Sequence, residues 1–252
     1  MYINDIHILL YVVAGILGFL AGAITNYCNH RMIEEKKIFT KDIFKFKKEN
    51  IHTNYILMIS NAIIYIALLY FCGLHSNFYE NLSLIKFGLL TPMLLSALTI
   101  DYKLQIIPNR LNLTMFEVGL LTMFIYGTIN INIAFDMLLG MICGAGIFLI
   151  ITLLGGFIAG KEAMGFGDVK LMGALGLYFG LSNIIMITAI AFLLGAIISV
   201  FLLATKIKKS NEYIPFGPFI VIAAFIVLFI PFGFLRNVLF EIFTLGLYNS
   251  TK

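Results

Sequence analysis

The chain has 252 residues, 61% hydrophobic and 12% charged, with a formal net charge of +4 and a mean hydropathy of +0.99. A soluble domain of this size needs more polar surface, and a transmembrane barrel would show alternation. Solid apolar runs of about 17 to 23 residues recur instead, long enough to cross a hydrocarbon core of about 30 Å. The composition describes an all-α polytopic membrane protein.

Eight spans are expected, at about residues 8–25, 55–73, 84–100, 112–128, 133–156, 168–182, 184–205 and 214–233. The first begins within "MYINDIHILLYVVAG", which lacks the basic n-region of a cleaved signal peptide, so it reads as a retained helix, although "AGA" at Ala21–Ala23 resembles a weak cleavage site. After it comes a short basic segment, about 29–54, that also carries Glu34, Glu35, Asp42 and Glu49. It suits anionic lipid heads and not nucleic acid. The sixth span is glycine-rich and is parted from the seventh at "FGLSN", because one helix of about 40 residues would overshoot any bilayer. The tail suggests an interfacial helix at Leu235–Leu247. No repeat or long linker divides the chain, which reads as a single membrane-embedded domain over 1–252.

Lysine and arginine are retained on the cytoplasmic side. The loop after the first span holds Arg31, Lys36, Lys37, Lys41, Lys45, Lys47 and Lys48. On the same side fall Lys103 and Arg110, Lys161 and Lys170, and Lys206, Lys208 and Lys209. That makes fourteen of the 17 basic residues, against Lys86, Arg236 and Lys252 opposite, so the N-terminus is expected outside.

The same count places two aspartates at the cytoplasmic interface: Asp101, in "SALTIDYKLQIIPNRLNL", and Asp168, in "GFGDVKLMGALG". Charge at membrane depth is costly and suggests function, although acids at helix ends can also simply snorkel to the surface. Two carboxyl groups in a poorly solvated site resist double ionisation and share a proton. The ionised one can take a proton from water while the protonated one polarises a peptide carbonyl. Gly165 and Gly167 would permit unusual dihedrals and a close approach to a substrate or another helix, Gly173 and Gly176 close helix packing, and Pro108 would fix the turn beyond Asp101. Glu117 lies in the fourth span, either lining a cavity or snorkelling, and Asp136 opens the fifth, where an acid suits a helix N-terminus. Cys28, Cys72 and Cys143 are scattered, and His7, His30, His52 and His75 show no ligand spacing, so no metal site is expected.

Three blocks resemble the prepilin peptidase family, the type IV leader peptidases, which are intramembrane aspartyl proteases with a G-x-G-D motif. They are "DYKLQIIPNRL" (Asp101–Leu111), "KEAMGFGDVKLMGALGLYFG" (Lys161–Gly180) and "IPFGPFI" (Ile214–Ile220). "GFLAGAITNYCNHRM" (Gly18–Met32) more loosely matches the family's opening helix, with its Asn-x-x-x-x-Arg. The resemblance implies that Asp101 and Asp168 are the catalytic pair. Gly165, Gly167, Lys170, Glu162, Pro108, Pro215 and Gly217 would shape the site or bind substrate: Glu162 either attracts a basic leader or is an ordinary solvated loop acid, and Lys170 snorkels or pairs with a carboxylate. The substrate would be a type IV prepilin or pseudopilin, cut after a glycine at the cytoplasmic face of the cell membrane. Many members carry two C-x-x-C pairs in the first loop, a zinc element associated with N-methylation from S-adenosylmethionine. This loop has Cys28 alone at its edge, so no zinc site can be built there. S-adenosylmethionine is then needed only if that second activity is retained, and the peptidase needs no cofactor.

Two other classes compete. An ion-coupled transporter would place its acids near the midplane and show inverted repeats. An inactive pilus-assembly scaffold would not need both aspartates. Presenilin-like proteases carry a Pro-Ala-Leu block where this chain has Pro215-Phe216-Gly217-Pro218.

Overall fold

A computed structural model describes residues 2–4, 6–33, 54–75, 77–159, 164–206 and 214–244. The chain divides into two compact units, Met1–Val118 and Gly119–Lys252. Apart from a two-residue antiparallel pair, β1 (Tyr2–Ile3) and β2 (Ile6–His7), the described elements are helices.

The first unit packs α1 (Ile8–Ile33), α2 (Tyr55–Cys72) and α3 (Phe78–Leu104) against one another. Gly18 and Gly22 bring α1 onto α2: a Cβ on Gly18 would lie 2.7 Å from the Asn61 carbonyl oxygen, and one on Gly22 would lie 2.6 Å from the Met58 Cα. Without a solvent-driven hydrophobic effect between helices in lipid, such backbone approach is what holds them together. The Asn54 side chain caps α2 by accepting from the Leu57 N–H at 3.3 Å. Pro92 sits inside α3 and cannot donate to the carbonyl of Gly88 one turn earlier. Tyr65 of α2 donates its hydroxyl to that carbonyl at 2.7 Å. The proline is thereby accommodated without a stranded acceptor in the membrane.

The second unit is built on α5 (Ile131–Ala159) and α6 (Phe166–Ala204); α4 (Asn109–Ile129) runs across the boundary between the units. α6 is broken at Gly180, whose φ of 74° and ψ of 179° are not helical. A Cβ on Gly144 of α5 would lie 2.5 Å from the Met172 carbonyl oxygen and 2.9 Å from Ile184 Cγ1. Twelve residues of continuous helix span about 18 Å, so these two atoms can meet one point only because the chain folds back at Gly180. The expected sixth and seventh spans are the two arms of α6. The Asp136 carboxylate accepts the Leu181 N–H at 3.3 Å, capping the second arm at its first residue. Asp136 therefore serves the start of another helix, not the opening turn of its own.

α7 (Gly217–Phe229) packs on α6, and Pro231 separates it from α8 (Phe232–Phe243). α8 buries Leu235 and exposes Arg236, Asn237 and Glu241, covering most of the interfacial helix expected there. Among the described residues six helices are long and apolar enough to cross a membrane, against eight expected spans. The difference arises because both arms of α6 belong to one element and α7 has 13 residues.

Candidate active site

Asp101 lies in the last turn of α3 and is 3% exposed. The helix ends just beyond it with Gln105 in the left-handed region at φ 57°, its N–H bonded to the Asp101 carbonyl at 2.8 Å. Pro108 follows as expected. Its carbonyl accepts from the N–H groups of Leu111 and Asn112 at 3.1 and 3.3 Å and so starts α4. Pro108 also lines a cavity of about 500 Å³, with Ile100 and Leu104 of α3, Met32 and Ile33 of α1, and Arg110. Glu117 is exposed on α4.

One turn before Asp101, α3 is tied to α1. The Asn29 side chain donates from Nδ2 to Thr99 Oγ1 at 3.0 Å, and its Oδ1 accepts from the Ser96 hydroxyl. Asn29 and Ser96 are both buried. Two residues on from Asn29, Arg31 is buried with its guanidinium 5.2 Å from the centre of the Tyr27 ring.

In the second unit Asp168 is 4% exposed in the first turn of α6. Gly165 is the N-cap, at φ −69° and ψ 141°, and its carbonyl accepts the Asp168 N–H at 3.0 Å. These dihedrals are open to any residue, and Gly167 has no positive φ either. The expected unusual backbone is thus not at Gly165 or Gly167 but at Gly180. Lys170 is exposed. Helix dipoles act oppositely at the two aspartates. The first turn of a helix favours a negative charge, as at Asp168, and the last turn disfavours one, as at Asp101.

Gly140 faces Gly176 and Gly144 faces Met172 in the antiparallel packing of α5 on the first arm of α6. One further turn of the same register sets Phe148 level with Asp168. The fully buried Phe148 ring is 5.9 Å from Phe216, which is 5.1 Å from Phe192 and 5.8 Å from Phe219. Pro215 and Gly217 flank Phe216 and are buried, and the Phe216 carbonyl accepts from Phe219 and Ile220 to start α7. The proline–glycine block is therefore an aromatic anchor at the depth of Asp168.

Asp101 and Pro108 stand in the first unit; Gly165, Gly167, Asp168, Lys170, Pro215 and Gly217 stand in the second. Glu162 lies outside the described residues, as does most of the basic segment after α1. The sequence gives no signal that would single out Ser96, Thr99 or Phe148, and Asn29 stood out only as part of the loosely matching "NYCNHR".

Comparison with known proteins agrees with the blocks around the aspartates. A prepilin leader peptidase/N-methyltransferase of Aeromonas hydrophila is 32% identical over 142 residues, which is 56% of this chain and 47% of that protein. The proteins of the same name from Xanthomonas campestris and Pseudomonas aeruginosa are 35% identical over 133 residues and 33% over 140. These alignments cover 52% and 56% of this chain, and 44% and 47% of the two relatives. The chain spans about half the length of the curated relatives it matches. No solved structure matches it. Residues 88–200, which hold both Asp101 and Asp168, match the type IV leader peptidase family.

Proposed function

We propose that this chain is an intramembrane aspartic endopeptidase that removes the short basic leader from type IV prepilins or pseudopilins. It cuts after a glycine at the cytoplasmic face of the cell membrane. The observation that carries this reading is the burial of Asp101 and Asp168 at helix ends, within the stretch that matches the leader peptidase family. The eight crossings, with the two arms of α6 counted separately, and the external N-terminus belong to the same reading.

Asp101 and Asp168 supply the chemistry between them. Asp168, in the first turn of α6, is the ionised member and takes a proton from the attacking water. Asp101, in the last turn of α3, is the protonated member and donates a hydrogen bond to the scissile carbonyl. The proton gained by Asp168 passes to the leaving amine as the tetrahedral intermediate collapses. Water is consumed, the C–N bond breaks, and no covalent enzyme intermediate forms. The relatives' name includes N-methyltransferase, but this chain lacks the four-cysteine element, and S-adenosylmethionine has no part in the peptidase step.

The test is intact-mass analysis of a type IV prepilin incubated with membranes carrying the wild type, Asp101→Ala or Asp168→Ala. Loss of the leader mass with the wild type alone supports the reading. Cleavage by either variant overturns the pair. An added methyl mass would show the second activity.

A further inference from the structure

We infer that Asn29 is a positioning residue for Asp101, acting by locking the rotation of α3 about its own axis; this rests on the proposed role of Asp101. Asn29 grips α3 at two points, as acceptor to Ser96 and as donor to Thr99. Asp101 follows Ser96 by five residues and Thr99 by two. At 3.6 residues per turn it stands about 140° and 200° around the helix from them, and no more than about 7.5 Å further along. The grip is on one face and the carboxylate on the opposite face, so any roll of α3 swings Asp101 sideways while moving Ser96 and Thr99 off Asn29. One hydrogen bond would leave that roll free, whereas two from a single planar amide do not.

Neither hydroxyl needs Asn29 for its own satisfaction. Thr99 Oγ1 has its one hydrogen shared between the Leu95 and Ser96 carbonyls of its own helix, at 2.9 and 3.0 Å, and a helical serine can bond back in the same way. A fold that only required a quiet side chain at this buried position would be served by an apolar one. The polar amide at this depth therefore sets geometry. Catalytic alignment is sensitive to shifts of about 1 Å, which cost on the order of a hundredfold in rate.

The experiment measures steady-state cleavage of a type IV prepilin by the full chain in liposomes. It compares wild type, Asp101→Ala, Asn29→Leu, Ser96→Ala/Thr99→Val and the combined triple variant. Asn29→Leu is expected to lower kcat by about tenfold to a hundredfold with KM unchanged. The hydroxyl variant should do the same, and the triple variant should be no worse than either. Retention of wild-type kcat by Asn29→Leu while Asp101→Ala is inactive overturns the positioning role alone. Additive losses in the triple variant also overturn it, because the two sides would then act separately. Failure of Asn29→Leu to accumulate leaves the hydroxyl variant as the readout, and failure of both shows a folding role and overturns the inference. An inactive wild type, or an active Asp101→Ala, overturns the catalytic reading and the positioning role with it.

Discussion

A Cβ on Gly176 would lie 2.2 Å from both the carbonyl carbon and the carbonyl oxygen of Gly140. The contact is backbone against backbone, so no rotamer change can relieve it. Gly176→Ala must push α5 and the first arm of α6 apart, loosening the packing along Gly144 and Met172 as well. The expected loss is about 2–3 kcal/mol, read as a lower melting temperature in detergent. Gly146, with nothing within 4 Å of its Cβ position, is the control, and Gly146→Ala should leave the melt unchanged or raise it.

Gly180 is constrained twice. Its φ of 74° disfavours any side chain, and a Cβ there would fall 2.0 Å from Asp136 Oδ2. The first cost is intrinsic, about 1–3 kcal/mol, because φ 74° with ψ 179° is a region essentially reserved for glycine; the second depends on the carboxylate. Asp136→Ala alone removes the cap on Leu181 and should cost about 1 kcal/mol, with Asp136→Asn costing less because the amide oxygen still accepts. Gly180→Ala should cost less in the Asp136→Ala background than in the wild type. Equal costs in both backgrounds would show that the carboxylate does not restrict this turn.

Much of this arrangement was legible in the chain. Apolar run length locates α1 to α5, and the excess length after Asp168 demands a break near Gly180. The partner of each polar residue was not legible, because it depends on which helices meet. Asp136 reads as an acid at the opening of α5, yet its carboxylate is spent on Leu181. Gly165 and Gly167 read as conformational glycines because they flank an aspartate, whereas in α6 the positive φ belongs to Gly180, at the break itself. Asn29 carries no periodic signal at all. Its role follows from the meeting of α1 with α3, which one sequence cannot reveal.

Tyr65 and Pro92 form a compensating pair. Tyr65→Phe removes the donor to the Gly88 carbonyl, which Pro92 already deprives of its helical N–H. An unsatisfied carbonyl there should cost about 1–3 kcal/mol. Pro92→Ala restores the N–H, so Tyr65→Phe should be close to neutral in that background. A full loss in both would mean that Tyr65 contributes by packing alone. Thermal melts of the four proteins decide it.

The opposed helix ends at Asp101 and Asp168 predict unequal tolerance to asparagine. Asparagine cannot accept a proton from water, so Asp168→Asn should be as inactive as Asp168→Ala, with a loss on the order of 10⁴-fold. At Asp101 the proposed role is donation by a protonated carboxyl, and an amide N–H can donate in its place. Asp101→Asn should therefore retain more activity than Asp101→Ala, losing about 10²–10³-fold, the usual effect of weakening a carbonyl-polarising donor. Single-turnover cleavage of a prepilin by the four variants, normalised to folded protein, measures this directly. The reverse order, with Asp168→Asn the milder change, would exchange the roles of the two carboxyl groups. Indistinguishable asparagine variants, both as inactive as alanine, would mean that each group must transfer a proton during the reaction.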